Sequence, residues 1–137
     1  MKMNQTGHMT ISNKRIVVVD DDESIRRTFF LILYENYRVY LAKDSGEALE
    51  RFAKHHVDLI ITDFKLPGMN GLDMVARFRQ LGFRGQVILI SADLIEPEPM
   101  RHLSIHRFFV KPLDLHSIKK SVDDLLSCRA GMRLRSN

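Results

Sequence analysis

Short continuous apolar runs alternate along this chain with longer segments in which apolar residues recur every three or four positions. Ile16-Val17-Val18-Val19 is a β-branched run that ends in Asp20, Asp21 and Asp22. An uninterrupted run of this kind suits a strand buried on both faces. Arg38 to Leu41 predicts a second short strand. Val57 to Thr62 predicts a third ending at Asp63, Gln86 to Ile90 a fourth ending at Ser91, and Arg107 to Val110 a fifth followed by Lys111-Pro112. Between them the period is helical. Residues 23–35 predict a helix capped by Asp22, and residues 45–55 one capped by Asp44 with Ala48, Leu49 and Phe52 on its stripe. Leu72, Val75, Ala76, Phe78 and Arg79 fall in periodic order over 72–81. Leu115, Ile118, Val122, Leu125 and Leu126 make 114–127 an amphipathic helix. Lys65 to Gly71 is a loop dense in turn residues. Residues 92–105 give no clear pattern.

The order is strand then helix, five times over. That alternation predicts an α/β fold: a doubly wound, five-stranded parallel sheet with helices on both faces and right-handed crossovers. Ligands of such sheets bind beyond the carboxyl ends of the strands, where strand order reverses.

Bulk composition narrows the class. A chain of 137 residues, 45% apolar and 28% charged, is the size and balance of one globular domain. Its longest apolar run, Phe29 to Tyr34, is far short of the roughly 20 residues that span a bilayer. Cys128 is the only cysteine, so no internal disulfide forms. A cytoplasmic protein is the simplest reading. The net charge of +4 raises nucleic-acid binding, but Lys2, Lys14, Arg129, Arg133 and Arg135 lie in the end segments. Subtracting those five charges from +4 leaves −1 for residues 15 to 128. The expectation is therefore no direct nucleic-acid binding by this domain, and no membrane. Residues 1–13 are expected to be a disordered segment or tag, 14–128 the domain, and 129–137 a basic tail or the start of a linker. Whether the chain stands alone or was excised from a longer protein stays open.

The chemistry lies at the strand ends. In a parallel sheet Asp20 to Asp22, Asp63, Ser91 and Lys111 come out on one edge. Each has an ordinary use by itself: helix cap, turn residue or solvated lysine. Together they gather carboxylates, a hydroxyl and an ammonium in one crevice. Crowded carboxylates need a counter-charge, and hard oxygen ligands suit Mg²⁺. Such a site favours phosphoryl chemistry with a carboxylate as nucleophile, a lysine as point-charge partner and a serine as donor. No histidine pair has zinc-site spacing, and neither a Walker-type phosphate loop nor a dinucleotide fingerprint is present.

Four separated motifs carry a family resemblance: Ile16 to Arg26 (IVVVDDDESIR), Leu59 to Asp73 (LIITDFKLPGMNGLD), Val87 to Asp93 (VILISAD) and Phe108 to Pro112 (FFVKP). Over residues 14 to 128 the chain resembles the receiver domain of bacterial response regulators. The resemblance implies strand order 2-1-3-4-5 in a flavodoxin-like sheet. It implies Asp63 as phosphoacceptor, with Lys111 and Ser91 as the residues that engage the phosphoryl group. It implies Mg²⁺ held by Asp21 directly, Asp20 through water, Asp63 and the main-chain carbonyl of Lys65. It implies a switch through Ser91 and Phe108, and a Lys111-Pro112 bond that is cis in the family and would aim the lysine inward. Two features depart from the pattern. Phe108 brings no phenolic hydroxyl to the rotating aromatic position, and Pro97 and Pro99 predict a fourth helix that is short or starts late.

The function expected is a phosphorylation-activated signalling switch. It takes its phosphoryl group from a histidine kinase or phosphotransfer protein and acts on a downstream effector, with a homodimer among the possible assemblies. It is not expected to be an enzyme beyond self-catalysed phosphotransfer and slow autodephosphorylation. Lys65 and Asp93 are expected to flank the path of the hydrolytic water and to pair across it. A phosphohydrolase would need a general acid beside Asp63, where Lys65 stands instead. A phosphorylation-independent module would have no use for the acids, Ser91 and Lys111 together.

Overall fold

The computed structural model describes residues 2–3, 9–10 and 12–127. The basic tail read at 129–137 lies outside the described residues, as does most of the segment before residue 12. Within that segment Lys2–Met3 and Met9–Thr10 pair as two antiparallel two-residue strands, regular pairing where no structure was expected.

The main body alternates as predicted. Its strands are β1 (Arg15–Val19), β2 (Arg38–Ala42), β3 (Leu59–Asp63), β4 (Gln86–Ser91) and β5 (Arg107–Val110). Its helices are α1 (Glu23–Leu33), α2 (Ser45–Phe52), α3 (Gly71–Gln80), α4 (Pro97–His102) and α5 (Leu115–Leu126). All five strands run parallel in the order β2-β1-β3-β4-β5. The order reverses between β1 and β3, so the crevice lies at their carboxyl ends.

Most boundaries match, and the differences have local causes. The third strand begins at Leu59 because Asp58 is engaged before it: its N–H donates to Arg15 O and its carboxylate accepts from Arg15 N at 2.8 Å. The strand takes in Asp63, which pairs with Ile90 in the ladder, and β4 likewise includes Ser91. The second helix is three residues shorter than predicted, with Ala53 N bonding Leu49 O and the chain then tightening through His55 N to Phe52 O. Asp22 and Asp44 cap α1 and α2 as read, each side chain accepting a main-chain N–H at 2.8 Å.

Each face of the sheet has its own core. Val17, Val19, Ile60 and Val87 pack with Ala48 and Phe52 of α2 and Met74, Val75 and Phe78 of α3. Ile16, Val18, Leu59, Ile61, Ile88 and Ile90 pack with Phe29 and Leu33 of α1 and Ile118, Val122 and Leu126 of α5. Adjacent residues of β1, β3 and β4 thus enter opposite cores, which is why these strands read as unbroken apolar runs. Burying each such side chain contributes roughly 1.5–3 kcal/mol, enough to fix the register that aligns the strand ends.

α4 is the exception among the helices. It is six residues long, buries no residue, and has no side-chain cap at its start. Pro97 and Pro99 sit in its first turn, where a missing N–H costs least. The short fourth helix predicted from these prolines is what forms. No described helix is long and apolar enough to cross a membrane.

Candidate functional site

β1 delivers Asp20 and Asp21, and β3 delivers Asp63. Carboxylate oxygens of the three lie within 4.8 Å of one another. Asp20 and Asp63 are only 2% and 6% exposed, whereas Asp21 faces solvent. The geometry of the first pair is built locally. The Asp22 N–H donates to Asp20 Oδ1 at 2.9 Å, and the Arg26 guanidinium, one turn into α1, donates to Asp20 O at 2.7 Å. Asp22 itself is turned to its capping role and takes no place in the cluster.

Lys111 arrives from β5. Its N–H donates to Ser91 O at 2.8 Å, which ties the two strand ends together. Its Nζ lies 3.3 Å from Asp63 Oδ2, and the Lys111-Pro112 peptide is cis. Ser91 is buried, and its Oγ accepts the Asp93 N–H at 3.0 Å while donating to no described acceptor. The ends of β1 and β3 thus bring the three carboxylates together and β5 adds the Lys111 ammonium, while β4 ends at Ser91 on the same edge.

Gly71 sets the back of the acceptor loop. A Cβ there would collide with the Asp63 carbonyl oxygen and press on Thr62 Oγ1, so the first turn of α3 approaches β3 as only glycine allows. The Gly71 N–H donates to Phe64 O at 2.7 Å, and Thr62 Oγ1 donates to Asp63 O at 2.8 Å. These supports were not singled out from the sequence. A glycine eight residues past a strand-end aspartate, at the start of a helix, is the one signal that points to them.

One expected feature differs. Lys65 and Asp93 are both exposed, but no ion pair joins them among the described residues. Phe108 is half-buried and packs in neither core, whereas its neighbour Phe109 joins the α1–α5 side.

The electrostatics suit a cation. Burial, and then the nearby Asp63 and Asp21, push the Asp20 carboxyl up to about 6 despite the Asp22 N–H and Lys111. One ammonium faces three carboxylates, and it reaches only Asp63. A hard divalent ion with retained waters would relieve that imbalance, so the residues fit Mg²⁺.

A family model described as the response regulator receiver domain matches residues 16–123. The chain belongs to that family. Receiver domains bind Mg²⁺ at an acidic pocket, serve two-component signalling and interact with histidine kinases and effector domains. Among curated proteins, this receiver domain is 28% identical over 123 residues to the sporulation initiation phosphotransferase F of Bacillus subtilis, covering 86% of this chain and 98% of that one. It is 33% identical over 110 residues to the sensor histidine kinase RcsC of Escherichia coli, covering 78% of this chain and 12% of that protein. It likewise spans only 32% of the cyclic di-GMP phosphodiesterase response regulator RpfG of Xanthomonas campestris. Solved structures agree in fold. The non-phosphorylated HemR receiver domain of Leptospira biflexa superposes with a TM-score of 0.76 at 27% identity, over 84% of this chain and 95% of that one. The response regulator TrrA of Thermotoga maritima, in complex with Mg²⁺-BeF, gives 0.69 at 30% identity, over 82% and 99%.

Proposed function

We propose that Asp63 accepts a phosphoryl group from a histidine kinase or phosphotransfer protein in a Mg²⁺-dependent reaction, and that Ser91 and Phe108 convert this into a change at α4 and β5. One observation carries the reading: the Asp63 carboxylate, nearly buried, lies beside both the Lys111 ammonium and the Asp20 and Asp21 carboxylates at one sheet edge.

Asp20, Asp21, Asp63 and the main-chain carbonyl of Lys65 are the groups that would hold Mg²⁺. When bound, the ion neutralises charge on the phosphoryl oxygens and on the attacking carboxylate. An Asp63 oxygen attacks phosphorus, the bond to the donor nitrogen breaks, and an acyl phosphate remains on Asp63. Lys111, already 3.3 Å from Asp63, pairs with an oxygen of the transferred group. Ser91 has a hydroxyl hydrogen without a described acceptor and donates it to another. Its approach vacates space on the α3–α4 side of the sheet, and Phe108, packed in neither core, moves inward to fill it. Lys65 and Asp93 flank the entry of water and set the rate of dephosphorylation. The setting is cytoplasmic, the output is a partner protein or effector domain, and a homodimer of the switched form is one assembly it permits.

The test is intact-mass measurement after incubation with a small phosphodonor. With Mg²⁺ the wild type gains one phosphoryl group, and Asp63→Asn gains none. Equal labelling of both proteins rejects the assignment.

A further inference from the structure

The end of the sheet opposite the aspartates carries a feature that the phosphoryl chemistry does not use. A groove of about 670 Å³ opens there between the α2–β3 connection, the α3–β4 connection and the end of α5. Its lining includes the buried Val57, Phe83 and Leu126, and the exposed Leu81. Lys14, Lys54, His55 and Arg84 also line it, all of them exposed. None of these four side chains forms an ion pair or hydrogen bond with a described residue. The one acid in the lining, Asp58, is already engaged. Its Oδ2 accepts the Arg15 N–H, and its Oδ1 lies 2.8 Å from His56 Nε2. The groove therefore presents three permanent cations and no free carboxylate beside apolar surface. Residues 15 to 128 together carry a net charge of −1, so this basic patch is local and not the tint of the whole domain.

We propose that this groove docks an acidic peptide segment of a partner protein in which carboxylates alternate with aliphatic side chains. Charge complementarity selects the sign, and the apolar lining selects the interleaving. The chain's own residues 128–137 cannot fill the role, because they contain three arginines and no acid. A polynucleotide fits less well. It would run past the groove onto a body of net negative charge and would set phosphates against Leu81 and Phe83. The groove lies at the amino ends of the strands and Asp63 at a carboxyl end, separated by roughly 15 Å of strand. A partner held there leaves the acceptor open, so binding and phosphorylation proceed independently.

Fluorescence anisotropy with the full chain tests this. The probes are labelled synthetic peptides alternating Glu with Leu or Glu with Ser, and an oligothymidine. The Glu–Leu peptide binds saturably, and the Glu–Ser peptide and oligothymidine bind at least about tenfold more weakly. Lys54→Glu/Arg84→Glu weakens Glu–Leu binding by about tenfold or more, and Lys54→Gln/Arg84→Gln by less. Both variants keep the wild-type rate of phosphoryl uptake on Asp63, which shows that they are folded and that failure here is distinct from failure of the acceptor site. The proposal is overturned by no saturable binding of the Glu–Leu peptide, by tighter binding of oligothymidine, or by equal affinities of wild type and the charge-reversed variant. It is also overturned by salt-sensitive self-association of the chain through this groove, which would make a second copy the occupant.

Discussion

At the scale of single residues, the site holds more negative charge than the resting fold can comfortably accommodate. Asp20 is almost wholly buried, has carboxylates of Asp21 and Asp63 nearby, and keeps only the Asp22 N–H on its Oδ1. Asparagine at this position would keep an oxygen for that N–H and remove the charge. Asp20→Asn therefore stabilises the metal-free protein by roughly 1–3 kcal/mol, since a buried charge without its own counter-ion is replaced by a neutral group of the same shape. The same change weakens stabilisation by Mg²⁺. Urea unfolding in EDTA and in Mg²⁺ checks both effects; a variant less stable in EDTA than the wild type would refute the argument. The acids, Ser91 and Lys111 were legible in the sequence because strand ends are easy to locate when apolar runs stop abruptly at polar residues. Gly71 and Arg26 were not singled out as supports. Their roles depend on a close approach and on a guanidinium reaching a main-chain carbonyl, and neither leaves a period or a composition to read.

At the scale of elements, α4 is the weakly held piece and Arg79 fastens one end of it. The sequence places Arg79 within the periodic stripe of α3, where a charge looks misplaced. In the structure its guanidinium donates to Gly85 O at 2.7 Å, to Leu103 O at 3.2 Å, and to the carbonyls of Phe83 and Ser104, while stacking over the Phe83 ring. One planar fork thus joins α3 to both the α3–β4 connection and the end of α4, where Ser104 takes a left-handed conformation. Lysine cannot reproduce a fork of this shape. Arg79→Lys costs about 1–3 kcal/mol in urea unfolding and speeds hydrogen exchange at Leu103 to His106. Wild-type exchange in that segment would show that the fork does not hold it. The other end of α4 has no side-chain cap and no buried residue, so it is free to move. With a phosphoryl mimic bound, exchange therefore changes most between Ala92 and Phe109. A change confined to the neighbourhood of Asp63 would reject that route for the signal. The sequence left 92–105 unassigned for the same reason: an element that buries nothing has no apolar stripe, and only Pro97 and Pro99 marked its shortness.

At the scale of the whole molecule, the aspartate cluster lies at the carboxyl ends of the strands and a group of cations near the amino ends of β4 and β5, and both shape the response to pH. His106 sits among the cations. Its Nδ1 accepts the Val87 N–H at 3.1 Å just before β5 begins, and the main-chain N–H of His106 donates to Val87 O. Acceptance requires the neutral ring. Burial first, then Arg79 and Arg107, hold its pKa below the usual 6.5. Arg84 shares the same hollow, and no carboxylate lines it. The unfolded chain therefore takes up a proton near pH 6.5 that the folded protein refuses, so stability rises with pH up to about 6.5 and falls as pH drops from there toward the lowered folded value. Asp20 works in the opposite sense, because its raised carboxyl binds a proton first in the folded state. The quantity to read is thus the difference between wild type and a variant that keeps the acceptor without titrating. In His106→Asn the side-chain oxygen can receive the Val87 N–H. Urea unfolding at pH 7.5 and at pH 5.5 should show that the wild type loses more stability on acidification than His106→Asn does, by no more than a few tenths of a kcal/mol because solvent screens this exposed residue. An equal or smaller loss in the wild type would mean that the ring is not held neutral by this bond and its cationic neighbours.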